Sequence, residues 1–154
     1  MRFKVTLAAL VIAGLGAAAA ATTFVPATAA EQGTHEAREA IMKKIGGSVG
    51  ALAGIAKGEK PYDAAAVKTA LSTIAENARA FPAQFDNSKA ATDKLASPKI
   101  WENFDDFKNR SEKLAADADQ LAAATPADAA AVGAAVKTLG ANCSGCHQIY
   151  RLKE

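Results

Sequence analysis

Residues 128–150 read DAAAVGAAVKTLGANCSGCHQIY, a stretch that combines a helical pattern with both cysteines of the chain. Its larger side chains follow one another at intervals of three or four residues: Val132, Val136, Leu139, Cys143, Cys146 and Tyr150. Such intervals place side chains on one face of an α-helix. The stretch therefore predicts a helix that packs one face against the rest of the protein, and this face includes the two thiols.

Near the end of this helix, Cys143-Ser144-Gly145-Cys146-His147 forms a Cys-x-x-Cys-His motif. This motif is the attachment signal of a c-type haem, in which two thiols add to the vinyl groups and the histidine ligates the iron. Positions i, i+3 and i+4 share a helix face, so the three side chains are expected to project together. We expect one covalent haem c, with Cys143 and Cys146 as thioether residues and His147 as an axial ligand.

Three other uses of the two cysteines are alternatives to haem attachment. A thioredoxin-like pair stands at a helix N-terminus after a strand, whereas Cys143 falls late in a predicted helix. A zinc site needs four ligands, and the chain has only two cysteines and two histidines besides its carboxylates. A disulfide is compatible with an exported protein but gives His147 no role. Haem attachment accounts for all three residues.

The first 30 residues have the pattern of a secretory signal peptide. Arg2 and Lys4 precede an uncharged, alanine-rich run, and small residues at positions 27–30 suit cleavage. A retained membrane anchor is the alternative, but the run is near the lower length limit for a bilayer span. We expect cleavage before residue 30 or 31, and a periplasmic mature chain, 31–154, that does not span the membrane.

The charge balance gives no indication of nucleic-acid binding. Lysine and arginine number 18 against 16 acidic residues, and Arg2 and Lys4 account for the whole excess. Residues 31–154 are enough for one domain with one core.

Prolines and capping residues divide residues 31–154 into four segments with helical periodicity. The first extends from about Thr34 to Lys57 and stops at Gly58. The second begins after Asp63, a plausible N-cap, and ends at Pro82.

The two later helices also have recognisable starts. Ser97 followed by Pro98 predicts an N-cap with proline at the first helical position. The apolar stripe of this third helix comprises Ile100, Phe104, Phe107, Ser111, Leu114, Ala118 and Leu121. Residues 125–128, Thr-Pro-Ala-Asp, resemble a capping box that opens the fourth helix. Four amphipathic helices predict an all-α, antiparallel up-down-up-down four-helix bundle enclosing the haem.

The second axial ligand is approached by elimination and by position. After residue 30 the strong neutral donors are Met42 and His35. In this bundle the first and fourth helices are antiparallel neighbours, so Met42 and His147 both fall roughly 11 to 12 Å from the same bundle end. His35 stands two turns earlier, where a solvent-exposed side chain is the ordinary interpretation. Met42 is the expected ligand, and the alternative is a core methionine that covers the iron without binding it.

Several segments resemble the class II c-type cytochromes of the cytochrome c-prime superfamily. They are Arg38 with Met42, residues 58–63 (GEKPYD), residues 97–101 (SPKIW) and residues 143–151 (CSGCHQIYR). The resemblance covers residues 34–151 and implies a four-helix bundle with its haem motif near the carboxyl end.

That superfamily contains two kinds of haem site. In one, the iron is five-coordinate and high-spin, and an apolar residue at the position matching Met42 shields a face that binds nitric oxide or carbon monoxide. In the other, a methionine at that position binds the iron and gives a low-spin electron carrier. The chain resembles the second kind more, around residues 58–63 and 97–101. The resemblance implies an electron-transfer protein and not an enzyme, with gas binding as the alternative function.

The resemblance also implies the surroundings of the haem. Arg38 and Arg151 are expected near it, where a guanidinium meets a propionate or the proximal imidazole, and each has a solvated helix position as its alternative. Ile45 and Phe85 are expected as pocket walls, and Trp101 as a packing anchor, with an electron relay as the alternative role of Trp101.

A basic group is expected at the haem end: Arg38, Lys43, Lys44, Arg151 and Lys153. These cations would steer an acidic redox partner protein, whereas Glu36, Glu39 and Glu154 dilute the field. A solvated end of mixed charge is the alternative. Both a monomer and a homodimer are compatible with the sequence.

Overall fold

The computed structural model describes residues 33–85 and 94–153. Its helices are α1 (His35–Ala56), α2 (Ala64–Ala80), α3 (Lys99–Glu102), α4 (Phe104–Ala123) and α5 (Ala129–Tyr150), with a 3₁₀ turn at Pro82–Gln84. The predicted signal peptide, residues 1–30, lies outside the described residues, as do residues 86–93, which belong to the connection between the second and third predicted helices.

The four long helices form the predicted bundle. Helix α1 packs against α2 and α5, and α4 packs against the same two helices. Short connections join α1 to α2 and α4 to α5, as expected for antiparallel neighbours. In the parts of the chain that the structure describes, none of the helices combines the length and the apolar character needed to cross a bilayer. The first and last helices are thus neighbours, and this adjacency builds the site.

The predicted starts of the first two helices are confirmed, and both helices end within two residues of the predicted positions. Thr34 caps α1 by accepting a 3.2 Å hydrogen bond from the amide of Ala37, and Asp63 caps α2 through a 2.7 Å bond from Ala66. Helix α1 ends at Ala56, and the turn after it contains Gly58, whose φ of 75° is the left-handed conformation that glycine adopts without strain.

The predicted third helix is interrupted at Asn103. Its φ of −134° and ψ of 53° separate the four-residue helix α3 from α4. The break changes the helical phase, so the predicted stripe was wrong at Phe104, which is 37% exposed, whereas Phe107 is 1% exposed. The N-cap of α3 is Pro98, one residue after the predicted Ser97. The hydroxyl of Ser97 still accepts a 3.3 Å hydrogen bond from the amide of Lys99.

The predicted capping box at residues 125–128 was also wrong. Asp128 itself is the N-cap of α5 and accepts a 2.8 Å hydrogen bond from the amide of Ala131. Thr125 lies just after α4 and is tied to that helix, because its hydroxyl donates to the carbonyl of Ala122 at 2.9 Å.

The buried residues form two clusters. A central cluster of aliphatic residues and alanines fills the bundle between α1, α2, α4 and α5. A smaller, largely aromatic cluster at one end consists of Phe85, Ile100, Phe107 and Tyr150, with Trp101 packed against it. The second cluster lies under the end of α5 that carries the Cys-x-x-Cys-His motif.

An antiparallel contact closes this end of the bundle. The amide of Ser97 donates to the carbonyl of Tyr150 at 3.0 Å, and the amide of Leu152 donates to the carbonyl of Leu95 at 2.8 Å. The segment that enters α3 is therefore tied to the end of α5, which fixes the backbone around Arg151.

Candidate haem site

A cavity of about 610 Å³ opens at this end of the bundle, with mainly apolar walls. Helices α1, α4 and α5 line it, together with the segments at Phe85 and Ala96. All the predicted site residues contribute to its walls: Arg38, Met42, Ile45, Phe85, Cys143, Cys146, His147 and Arg151. An apolar cavity with a few convergent polar groups is the usual form of a cofactor site.

The motif presents three donors to the cavity from a single helix face. Cys143 and Cys146 are half-buried thiols, and burial raises the pKa of each. His147 is accessible to solvent through the cavity, yet the apolar surroundings and, secondarily, Arg151 lower its pKa. A neutral imidazole is the form that ligates a metal. The amide of Arg151 donates to the carbonyl of His147 at 3.1 Å and closes the last turn.

Both candidates for the second ligand lie in the cavity wall on α1. Met42 is half-buried, packs against the central cluster and follows Arg38 by one helical turn. His35, at the first position of α1, also lines the cavity and is half-buried, so it is less exposed than expected. Because α1 and α5 are neighbours, Met42 faces the same cavity as His147.

Arg38 is a buried cation, 3% exposed, which rules out the alternative of a solvated helix position. Its Nη1 donates to the carbonyls of Gly33 and Gln84, at 3.3 and 2.9 Å, and the guanidinium lies 4.9 Å from the ring centroid of Phe85. This arrangement holds the start of α1 against the turn that follows α2.

The predicted basic group at this end is weaker than expected as a surface feature. Arg38 is buried, and Lys43 forms a 2.9 Å ion pair with Glu39 one turn earlier. Lys44, Arg151 and Lys153 remain exposed. The charge pattern is therefore mixed.

A polar network on α4 was not anticipated. Arg110 lines the cavity, and its Nη1 lies 3.4 Å from the carbonyl oxygen of Gly145, between the two cysteines. Its Nε donates to Asp106 at 2.7 Å, and the hydroxyl of Tyr150 donates to the same carboxylate oxygen at 2.6 Å. The i, i+4 spacing of Asp106 and Arg110 signals an ion pair, but only the packing of α4 against α5 shows that the pair meets the motif.

A second link from α4 reaches α5 beside Cys143. The side-chain amide of Asn142 donates to Asp117 at 2.7 Å, and Lys113 pairs with the same carboxylate oxygen at 2.7 Å. These bonds hold the carboxyl half of α5 against α4.

The donor set fits a haem and not a zinc ion. Within residues 33–85 and 94–153 no group of three histidine, cysteine, aspartate or glutamate side chains converges on one point. Two thiols on one helix face, an adjacent imidazole, a thioether across the cavity and apolar walls match the parts of a covalent haem c site.

The comparisons with known proteins agree with this geometry. The family model described as Cytochrome C' matches residues 33–151. A protein named cytochrome c-556 from Agrobacterium tumefaciens is 60% identical over 81% of this chain and 99% of its own. The structure of cytochrome c' from Rhodopseudomonas palustris is similar with a TM-score of 0.69 and 36% identity, over 76% of this chain and 94% of that one. An NMR-validated model of oxidized cytochrome c556 from the same organism gives a TM-score of 0.68 and 33% identity, over 77% and 95%. The chain therefore belongs to the cytochrome c' family and binds one covalent haem c.

Proposed function

We propose that this chain is a periplasmic electron carrier whose haem is bound covalently by Cys143 and Cys146 and ligated axially by His147 and Met42. One observation carries the proposal: Met42 and His147 line the same apolar cavity from the neighbouring helices α1 and α5. The relatives named cytochrome c-556 support it, because they are more similar to this chain than those named cytochrome c'.

Each proposed ligand has a distinct task. The two thioethers retain the group permanently, and His147 offers a neutral nitrogen from the last turns of a helix whose end is tied to residues 95–97. Met42 offers a soft sulfur, a ligand that raises the potential of haem iron relative to harder donors. The bound haem supplies a reversible one-electron change.

The walls of the cavity suit a carrier. Ile45, Phe85 and Phe107 are buried and exclude water from its deeper side. Because Met42 and His147 stand on packed helices and not on loops, we expect their positions to change little between the two oxidation states.

The optical spectrum of the purified holoprotein tests the proposed ligands. A carrier is expected to show a far-red sulfur-to-iron band in the ferric state and slow ferrous carbon monoxide binding. Met42→Leu removes the sulfur at similar volume and should abolish the band. The matched control is Val49→Ala, which changes another cavity residue of α1 and should keep it.

The alternative function, binding of nitric oxide or carbon monoxide, predicts the opposite result. A high-spin ferric spectrum in the unmodified protein, together with rapid ferrous carbon monoxide binding, would refute the carrier. In that case Met42 covers the iron without ligating it.

Export is tested separately by mass spectrometry of the periplasmic fraction. We expect a haem-bearing chain that begins at Ala30 or Glu31. An intact N-terminus at Met1 in a membrane fraction would instead identify residues 5–21 as a retained anchor.

A further inference from the structure

A fixed ion pair stands where the cavity meets the motif. Arg110 lines the cavity, whereas its partner Asp106 is not among the lining residues. The guanidinium is held on both sides, by the carboxylate at 2.7 Å and by the carbonyl oxygen of Gly145 at 3.4 Å. The pair is therefore oriented, with its cation toward the cavity and its anion farther away.

Tyr150 fixes the anion of this pair. Its ring is buried in the aromatic cluster, 5.3 Å from the ring of Phe107, and its hydroxyl donates to Asp106 at 2.6 Å. Bonds from Arg110 and Tyr150 lower the pKa of Asp106, so its carboxylate is ionised at neutral pH. Arginine keeps its charge throughout the accessible range.

Stability alone is a poor explanation for this pair. Its side chains are 38% and 48% exposed, and ion pairs with such exposure contribute little to the free energy of folding. Among the other lining cations, Arg38 is bonded to backbone carbonyls and Lys43 to Glu39. Arg151 also lines the cavity but contacts the motif through its backbone amide, whereas Arg110 contacts the motif through its guanidinium.

We propose that the oriented pair of Arg110 and Asp106 tunes the reduction potential of the haem. The inference rests on the proposed electron-carrier function and adds two residues to it. A cation beside the cavity favours the reduced iron, which carries one positive charge fewer, and the more distant carboxylate opposes this effect. Removing either charge should therefore shift the potential, but in opposite directions.

The expected shifts have definite signs. Arg110→Gln leaves Asp106 uncompensated and should lower the equilibrium constant for reduction about three- to tenfold, as Coulomb's law gives for one charge at about 10 Å in a partly screened site. Asp106→Asn leaves the cation and should raise the constant by a smaller factor. Arg110→Lys keeps the charge and should stay close to the unmodified protein.

Two further variants separate charge from position. Tyr150→Phe removes the hydrogen bond to Asp106 without changing any charge at neutral pH, and should shift the potential less than either charge change. Lys108→Gln removes one cation from the same helix, but Lys108 pairs with Glu112 and is not a lining residue, so only a small shift is expected.

The experiment is a redox titration of all five variants and the unmodified holoprotein at constant pH and ionic strength, with the ferric spectrum recorded for each. Opposite shifts for Arg110→Gln and Asp106→Asn, both larger than for Lys108→Gln, support the proposal. Shifts in the same direction, or no larger than that control, overturn it. The Met42→Leu spectrum tests the ligand separately, so an error in the axial ligand and an error in the ion pair give different results.

Discussion

The guanidinium of Arg38 lies 4.9 Å from the ring centroid of Phe85, while its Nη1 donates a 2.9 Å hydrogen bond to the carbonyl of Gln84. The side chain of Arg38 on α1 therefore contacts two consecutive residues that follow α2, Gln84 and Phe85. Gln84 returns a contact, because its side-chain oxygen accepts a 3.0 Å bond from the amide of Gly33. Together these contacts close one side of the cavity.

Arg38→Met should destabilise the holoprotein by about 2 to 3 kcal/mol, because it leaves the buried carbonyl of Gly33 and the half-buried carbonyl of Gln84 without their charged donor. Urea unfolding followed by circular dichroism measures the loss. The matched control is Lys44→Met, which removes an exposed cation from the same helix and should change stability by less than about 0.5 kcal/mol. Equal losses of stability for the two variants would contradict the structural role of the Arg38 contacts.

Alanine substitutions at two glycines should have opposite effects. Gly58 has a φ of 75° in the turn that ends α1, where the amide of Glu59 donates to the carbonyl of Gly54 at 2.9 Å. Gly58→Ala should destabilise by about 1 kcal/mol, since a side chain is strained at this φ. Gly50 lies within α1, and an added Cβ there meets nothing within 4 Å. Gly50→Ala should stabilise by about 0.5 to 1 kcal/mol. Thermal unfolding measures the change in stability of each variant. If both variants are stabilised, or both destabilised, this interpretation is refuted.

The link between α4 and α5 should weaken in acid. Hydrogen bonds from Lys113 and then Asn142 lower the pKa of Asp117 below its usual 3.8. A carboxyl whose pKa is lower in the folded state adds stability above the unfolded value. This contribution is lost as the pH falls below about 3.8 and through the folded pKa.

Urea midpoints at pH 6, 5, 4 and 3 measure this effect. The stability advantage of the unmodified protein over Asp117→Asn should be constant from pH 6 to 5 and shrink toward pH 3. Glu76→Gln, on the exposed face of α2, is the control and should not reproduce that pattern. A stability advantage that grows on acidification would show that the pKa of Asp117 is not lower in the folded protein than in the unfolded one.

Local signals in the sequence predicted most of the fold. Thr34 and Asp63 cap their helices through bonds to residues only three positions away, so the pattern contains all the information needed. Asn103 shows the limit of such reasoning. Nothing in its neighbours forbids a continuous helix, and the break places Ile100 and Phe107 in one aromatic cluster while it leaves Phe104 exposed.

The candidate site likewise has features that the sequence pattern predicts and contacts that it does not. The spacing of Cys143, Cys146 and His147 is local, and the placement of Met42 follows from the antiparallel order of the helices. The surroundings of Arg38 and Arg110 depend on packing between segments far apart in sequence, at separations of 46 and 35 residues. Periodicity carries no information about such contacts.

The neighbouring positions of α1 and α5 have a consequence for biosynthesis. Ribosomes make α1 first and α5 last, yet the cavity needs a wall from each of them. A nascent chain that stops before residue 129 has neither the thiols nor α5, so the face of α1 that packs against α5 has no neighbouring helix. The cavity is therefore complete only once α5 has been made, so a chain truncated before α5 cannot hold the haem covalently.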